Sequence, residues 1–437
     1  LSKRYKIITL GCKVNQCETA SIQERLASEG YQPTEDSLRA NIIIVNTCIV
    51  TQRASYQSRQ AIRRAIKENP SARIAVVGCY PQVFPEELKK IEGIHLLAGN
   101  TDKPGIVDIL INPDPAPLNS GHVRGASEKN LFDTPPAKRF MERTRAFLKV
   151  QDGCDSFCSY CIVPYARGPI KSMKNDDVIR AISAFEQEGY KEIVLTGIHL
   201  GKYGKEISGK SELVPLLRLI ARQNPSVRVR LSSLEPGEIA DELIEMVASE
   251  PWLCRHFHIP LQSGDKEILK RMNRHYTPDY YQRLVARIHA AIPDAAIGAD
   301  IITGFPGEDK KAFNNGYSLI EDSPISYLHV FPFSPRKGTP AAGFKEQVDT
   351  EIIKERARQL RELGKKKKNL FYRSFIGKEL TVLTEGWESE QDKTIKGLTD
   401  NYIKIVTHSE KPIRNEFIRV TAERVHRDYL VGIKINN

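Results

Sequence analysis

The chain has 437 residues, 40% of them hydrophobic and 27% charged, and a net charge of +11. Its length suggests about three domains at roughly 150 residues each, and a mean hydropathy of −0.39 argues against a membrane-embedded or a disordered chain. The basic excess favours a polyanionic partner; no secretory leader pattern follows Leu1, so the expectation is a cytoplasmic protein whose cysteines stay reduced.

Residues 6–10 read as an apolar strand running into Gly11-Cys12, and residues 18–28 as a helix closed by Gly30. A second strand over 41–45 ends in Asn46-Thr47-Cys48, and a basic helix over 54–68 precedes Pro70. A third strand over 73–77 ends in Gly78-Cys79; a short helix over 85–91 and a fourth strand over 94–97 follow. This alternation predicts an open parallel α/β domain over 1–111. Residues 112–139 hold Pro113, Pro115, Pro117, Pro135 and Pro136 and read as a linker.

Within 140–371, strands are expected at 147–150, 192–195, 227–231, 256–259, 296–302 and 327–331. Helical patterns separate them, at 176–187, 213–221, 238–248, 266–272, 278–290 and 310–321. Six β/α units in one run predict a (β/α)6 partial barrel. A long basic helix over 350–370 follows. Short β-rich runs at 379–383, 402–406, 417–425 and 429–433 predict a small antiparallel β-barrel over 372–437.

Six of the eight cysteines fall into two triads. Cys154, Cys158 and Cys161 have the spacing C-x3-C-x2-C directly after a strand. Three thiolates on one tight loop suit a 4Fe–4S cluster, because soft sulfur matches iron. One iron is then left open and can chelate S-adenosylmethionine, whose reductive cleavage gives a 5′-deoxyadenosyl radical. A zinc site with a distant fourth ligand is the alternative, although no second nearby C-x2-C supports a ribbon or finger. Cys12, Cys48 and Cys79 are far apart in sequence, yet each ends a predicted parallel strand, where ligands gather in open α/β sheets. Gly11 and Gly78 permit tight turns before two of them. A second three-thiolate cluster is expected; three separately packed thiols are the alternative. Cys17 and Cys254 join neither pattern and read as packing residues.

The segments Gly11-Cys12-Lys13-Val14-Asn15, Asn46-Thr47-Cys48 and Val77-Gly78-Cys79, followed by Gln151-Asp152-Gly153-Cys154 and by Cys161-Ile162-Val163-Pro164-Tyr165-Ala166-Arg167-Gly168, resemble the radical S-adenosylmethionine methylthiotransferases. The resemblance spans essentially the whole chain and implies a cluster-bearing N-terminal domain, a radical core and a C-terminal TRAM domain. Lys13-Val14-Asn15 is most similar to the branch acting on N6-threonylcarbamoyladenosine in tRNA. The isopentenyladenosine branch usually carries Met-Asn there, and the ribosomal-protein branch Pro-Lys-Asn. The resemblance also implies two 4Fe–4S clusters, two molecules of S-adenosylmethionine per turnover and an external electron donor such as a flavodoxin-type reductase. One S-adenosylmethionine methylates sulfur carried on the N-terminal cluster; the other supplies the radical that activates an inert C2–H bond.

By the same resemblance, Thr196-Gly197 matches the segment whose backbone pairs with the cofactor's amino group, and Tyr160 occupies the slot that borders adenine. Ser233, Gln262 and Arg274, near expected strand ends, are candidates for ribose, carboxylate or substrate contacts. An ordinary β/α turn, simple packing, helix capping and a surface cation are the plain alternatives. No acid–base dyad is evident. A threonylcarbamoyl group carries a carboxylate that needs a cation, for which Arg167, Arg336 and Lys337 are candidates.

Lys365, Lys366, Lys367 and Lys368, among Arg356, Arg358, Arg361 and Arg373, are expected to meet tRNA phosphates unless they are a solvated helix face. Lys404, Arg414, Arg419 and Arg424, interleaved with Tyr402 and Phe417, suit looped RNA. Arg53, Arg59, Arg63 and Arg64 could guide RNA toward the N-terminal triad. The expected activity is 2-methylthiolation of N6-threonylcarbamoyladenosine at position 37, beside the anticodon, by a monomer with no membrane association. Methylthiolation of isopentenyladenosine tRNA or of a ribosomal protein is the runner-up, and a non-catalytic RNA-binding iron–sulfur sensor is the rival class.

Overall fold

The computed structural model describes residues 3–112, 132, 140 and 144–435. Nearly all of the expected linker therefore lies outside the described residues. The N-terminal domain runs β1 (Arg4–Thr9), α1 (Lys13–Ser28), β2 (Gln32–Pro33), β3 (Ile42–Thr47), α2 (Gln52–Glu68), β4 (Arg73–Gly78), α3 (Cys79–Val83), α4 (Pro85–Leu88), β5 (Leu96–Ala98) and α5 (Ile106–Ile111). Its sheet has the order β2-β1-β3-β4-β5 and every pair is parallel. The central strand β3 is buried along its whole length, as a parallel strand covered on both faces must be.

The first helix starts at Lys13, well before the expected residue 18, with Cys12 as its N-cap. Asn15, Glu18 and Thr19 are buried on this helix, so its inward face is polar and its apolar period is broken. The short helix α3 and the edge strand β2 were not expected; each is too brief to show a period.

The central domain contains β6 (Ala146–Lys149), β7 (Gln151–Asp152), α6 (Val163–Arg167), β8 (Lys171–Ser172), α7 (Asn175–Gln187), β9 (Glu192–Thr196), α8 (Lys205–Ser208), α9 (Leu213–Arg222), β10 (Arg228–Leu231), α10 (Asp241–Ser249), β11 (His256–His258), α11 (Lys266–Arg271), α12 (Pro278–Ala291), β12 (Ala296–Thr303), α13 (Lys310–Asp322), β13 (Tyr327–Pro332) and α14 (Thr350–Arg373). Two parallel three-stranded sheets, β6-β9-β10 and β11-β12-β13, meet at the Val229–Leu253 bridge. The bridge is closed by Val229 N–H to Trp252 O at 2.7 Å and Cys254 N–H to Val229 O at 2.9 Å. The result is the six-stranded partial barrel that the alternation predicts. Helix α1 packs on the β6 edge and α14 on the β13 edge, so neither edge is left open.

The C-terminal domain is a closed five-stranded barrel of β14 (Glu379–Ser389), β15 (Thr394–Thr399), β16 (Lys404–His408), β17 (Arg414–His426) and β18 (Tyr429–Lys434), in the order β14-β15-β16-β18-β17. It departs from the all-antiparallel expectation at one seam: β16 and β18 are parallel, pairing Ile405 with Leu430. Strand β15, Thr-Ile-Lys-Gly-Leu-Thr, is too polar to stand out by pattern. This barrel is fixed to the central domain by two buried arginines. Arg228 donates to Leu398 O at 2.7 Å, and Arg230 to Thr399 O at 3.0 Å and Asp400 O at 2.7 Å. Glu192 holds both guanidinium groups, at 2.5 and 2.8 Å. Among the described residues, no helix is long and apolar enough to cross a membrane.

Candidate functional site

Cys12, Cys48 and Cys79 follow the C-terminal ends of three adjacent strands, β1, β3 and β4. Gly11 takes a positive φ of 102°, and a Cβ there would meet the Cys48 Cβ at 2.8 Å and its Sγ at 3.2 Å. Only glycine lets the Cys12 turn close on Cys48 in this way. Asn15 Nδ2 donates to Leu10 O at 2.7 Å and Thr47 O at 3.0 Å, which ties the two loops together. Ser58 on α2 brackets Cys48, accepting from its N–H at 3.3 Å and donating to its carbonyl at 3.0 Å. Asn100 Nδ2 donates to Cys79 Sγ at 3.4 Å. Burial pushes the Cys12 and Cys48 thiols up, Cys48 to about 11, and the field of the neighbouring cysteines adds to the rise. The sheet places the three cysteines at neighbouring strand ends on one edge.

The second triad lies on the loop between β7 and α6. Gly153 has φ +76°, and a Cβ there would fall 1.8 Å from Pro169 O, so the loop closes only with glycine. Gln151 clamps it. Its Nε2 donates to Asp152 O at 2.7 Å and Gly153 O at 2.9 Å, while its Oε1 accepts from His199 N at 2.7 Å. His199 Nδ1 lies 3.3 Å from Cys154 Sγ, and Nε2 lies 2.5 Å from Glu238 Oε1. Burial alone would lower the His199 pKa, but hydrogen bonds to Cys154 and Glu238 outweigh it and raise it to about 9. The same contact outweighs burial at Cys154 and lowers its thiol pKa. Arg274 donates to Cys158 Sγ at 3.4 Å, with Glu235 as its carboxylate partner and the Tyr276 ring beneath it. Burial pushes Cys161 up to about 12. Burial also raises the Cys158 thiol, although Arg274 works against it, so among the three only Cys154 is shifted toward the thiolate.

The other core candidates divide. Thr196 is buried at the end of β9, and a Cβ on the adjoining Gly197 would meet Gln151 Oε1 at 2.7 Å, so both lie against the cysteine loop. Tyr160 packs edge-on against Phe305 at 6.4 Å, in a small apolar cluster. Ser233 is exposed just past β10. Gln262 has φ +60°, and its backbone bridges to β12 through Asp300 O at 2.8 Å and Ile302 N at 2.9 Å. Arg274 is not a surface cation.

The two triads are joined by α6. Ile162, the residue after Cys161, and Ala166 share an apolar cluster with Cys79 and Tyr80. Asn100 reaches both sides, donating to Cys79 Sγ and, at 2.7 Å, to Ala166 O. Arg167, at the end of α6, is expected from sequence to meet a substrate carboxylate. It is instead paired with Glu18 of α1 at 2.5 Å and hydrogen-bonded to Asn15. Lys103 and Lys149 meet the same Glu18, and Asp152 meets Lys149 at 3.1 Å. The guanidinium is therefore a buried fastener between the domains.

The Lys365–Lys368 run also divides, because four consecutive helical residues cannot share one face. Lys365 and Lys366 are exposed, with Lys366 at 3.3 Å from Glu321. Lys367 donates to the Glu321 and Ser323 carbonyls at the end of α13, a favourable place for a cation. Lys368 lies over the Tyr372 ring at 5.2 Å. Arg356 is buried against Glu308 and is not part of any surface patch.

Sequence reasoning missed the polar barrel interior. His258 Nε2 and His329 Nδ1 lie 2.8 and 3.1 Å from Asp300 Oδ1, and the Tyr327 hydroxyl lies 2.8 Å from His256 and 3.1 Å from His258. Gly298 makes room for Tyr327, since a Cβ there would fall 2.1 Å from the ring. The available signal was the alternation of His256 with His258 on β11 and of Tyr327 with His329 on β13, the two strands that flank β12.

Residues 4–99 match the uncharacterized protein family UPF0004, and residues 148–320 match the radical SAM superfamily. The chain is 36% identical to threonylcarbamoyladenosine tRNA methylthiotransferase MtaB of Bacillus subtilis, covering 97% of this chain and 94% of that protein. It is 37% identical to the protein of the same name from Aquifex aeolicus, covering 94% and 98%. The tRNA-2-methylthio-N(6)-dimethylallyladenosine synthase of Carboxydothermus hydrogenoformans is 32% identical, covering 99% of each chain.

The chain belongs to the radical SAM methylthiotransferase family.

Its fold is similar to that of a radical S-adenosylmethionine methyltransferase, TsrM, from Kitasatospora setae, with a TM-score of 0.56 at 15% identity over 78% of this chain and 77% of that one. As a radical SAM methylthiotransferase the chain is an enzyme, and all six triad cysteines are free thiols.

Proposed function

We propose that this methylthiotransferase converts N6-threonylcarbamoyladenosine at position 37 of tRNA to its 2-methylthio derivative. The observation that carries the reading is the pair of cysteine triads, one on the loop that runs into α6 and the other packed beside that helix, in a chain that aligns nearly end to end with threonylcarbamoyladenosine methylthiotransferases. Cys154, Cys158 and Cys161 would hold one 4Fe–4S cluster, and Cys12, Cys48 and Cys79 the other. With S-adenosylmethionine and an external, flavodoxin-type electron donor, these groups supply a radical and a sulfur for a C–H bond that has no acidic proton. The donor chemistry fits: each triad offers three thiols, at adjacent strand ends or on one loop, with Arg274 and His199 beside one set.

The protein's own part is positional. Gln151 and Gly153 hold the cysteine loop closed, Thr196 and Gly197 would border the cofactor, and Arg167 with Glu18 ties the two domains together beside the triads. The closed C-terminal barrel serves as a TRAM-type RNA-binding domain for the anticodon stem-loop, with the working enzyme a cytoplasmic monomer. The test is anaerobic reconstitution followed by nucleoside mass analysis of tRNA bearing threonylcarbamoyl- or isopentenyladenosine. The 2-methylthio product is expected from the first substrate. Comparable turnover of the isopentenyl form would transfer the chain to the neighbouring branch, and absence of 5′-deoxyadenosine would favour the RNA-binding sensor.

A further inference from the structure

Arg336 is a buried cation without an anion. It is 6% exposed, yet among the described residues no carboxylate lies within ion-pair distance of it. Every other buried arginine there has one: Arg167 has Glu18, Arg228 and Arg230 have Glu192, and Arg356 has Glu308. Arg336 makes a single side-chain hydrogen bond, Nη2 to Ser55 Oγ at 2.9 Å, and rests on the Phe84 ring at 5.9 Å. Its Nε–H has no partner. Burial lowers its pKa, the mark of a charge whose desolvation is not offset. A buried guanidinium left unpaired is costly, so its retention calls for an anionic ligand.

The space for that ligand is present. Arg336 lines a cavity of about 480 Å³ between the N-terminal domain and the loop after β13, walled also by Arg53, Tyr56, Arg59 and Lys337. The one acid in the wall, Glu87, accepts from the Tyr80 hydroxyl at 2.7 Å. The first turn of α2 contributes its helix dipole to the same space. The position is equally specific: Ser55, which accepts from Arg336, and Ser58, which brackets Cys48, lie on the same helix. The cavity thus flanks the N-terminal triad. Tyr56 is 57% exposed at its wall and offers an aromatic face to a base.

We infer that this cavity is the recognition site for the carboxylate of the substrate's N6 substituent, with Arg336 as the anchoring cation and Lys337 and Arg53 as the outer ones. The inference rests on the proposed function, since it requires a substituent that ends in an oxyanion. An RNA phosphate offers the same chemistry, but a base presenting C2 to the Cys12–Cys48–Cys79 triad carries its own substituent beside it.

The test uses the reconstituted holoenzyme and synthetic anticodon stem-loops bearing adenosine, N6-threonylcarbamoyladenosine, or the latter with its carboxylate converted to a carboxamide, with an isopentenyladenosine stem-loop as a separate control. The wild-type protein should bind the carboxylate form about tenfold more tightly than the carboxamide. Arg336→Gln should erase that preference and leave binding of the other two RNAs within about twofold. If Arg336→Gln loses iron, Arg336→Lys keeps the buried charge and carries the same comparison, with a reduced preference expected. An equal loss for all three RNAs would assign Arg336 to a phosphate and overturn the inference, as would a preference that survives in the variant. A wild-type protein that discriminates against isopentenyladenosine while Arg336→Gln discriminates equally well would sink this site and leave the proposed function standing. A wild-type protein that methylthiolates the isopentenyl form equally would sink that function itself.

Discussion

Arg167 and Glu18 are 149 residues apart in sequence and meet at 2.5 Å, on opposite sides of the seam between the N-terminal domain and the partial barrel. Arg167 ends the short helix that begins just after Cys161, and Glu18 lies on the helix that Cys12 caps. The pair therefore ties the helix that follows one triad to the helix that begins at the other. Glu18 serves three cations, Arg167, Lys103 and Lys149. Burial alone would raise its pKa, but these cations hold the carboxyl well below the usual range.

The asymmetry is testable. Glu18→Gln leaves buried Lys103 without a carboxylate and takes one of two from Lys149 and Arg167, which keep Asp152, whereas Arg167→Met leaves Glu18 with two lysines. Urea unfolding should show Glu18→Gln to be the more destabilising change, at about 3–5 kcal/mol. Equal losses, or a larger loss for Arg167→Met, would mean that Glu18 is not the centre of the network.

Iron content tests the two-cluster assignment. Changing Cys154, Cys158 and Cys161 together to Ala should leave about half of the iron, because the other triad has its own sheet-edge scaffold. Cys48→Ala in otherwise native protein should abolish methylthio transfer while S-adenosylmethionine cleavage continues, since the radical is made at the other loop. Full product formation by Cys48→Ala would reduce the N-terminal triad to packing.

The lysine run gives a prediction that separates two roles within four residues. Lys365 and Lys366 are exposed, so Ala at either should reduce the slope of log K against log salt by about 0.7–0.9 if each meets a phosphate. Lys367 is bonded to the Glu321 and Ser323 carbonyls, so Lys367→Ala should cost on the order of 1–2 kcal/mol of stability and leave the slope unchanged. Identical salt slopes for all three variants and the wild type would return the run to a solvated face.

Residue patterns made some of this architecture legible and hid the rest for identifiable reasons. Cys12, Cys48 and Cys79 could be placed together because three apolar strands point to one sheet edge, and a parallel sheet leaves no other arrangement. Arg167 could not be placed, because a cation after a ligand loop looks available until the fold brings Glu18 to it. The start of α1 was obscured by the same network: a helix that buries Asn15, Glu18 and Thr19 has no apolar period to read. The orphan state of Arg336 is likewise a property of what is absent around it, which sequence alone cannot display.

The junction with the C-terminal barrel should be acid-sensitive through Glu192. Burial alone would raise this carboxyl, but Arg230 and Arg228 overcome that and hold it at about 2, against an ordinary value of 4.5. A depressed folded-state pKa stabilises fully above the unfolded value and is lost as pH falls through the folded one. The contribution is therefore complete above about pH 5.5 and shrinks progressively below about pH 4.5. Glu192→Gln lacks it at every pH. Its stability deficit against the wild-type protein should be constant, at about 3 kcal/mol, from about pH 6 to 8, and should narrow by roughly a third near pH 3.5. Because Arg228 and Arg230 donate to Leu398, Thr399 and Asp400, amide exchange in that turn should accelerate in the variant before exchange in β12 does. A deficit that does not narrow in acid would show that Glu192 acts by packing and that the two arginines hold the barrel without it.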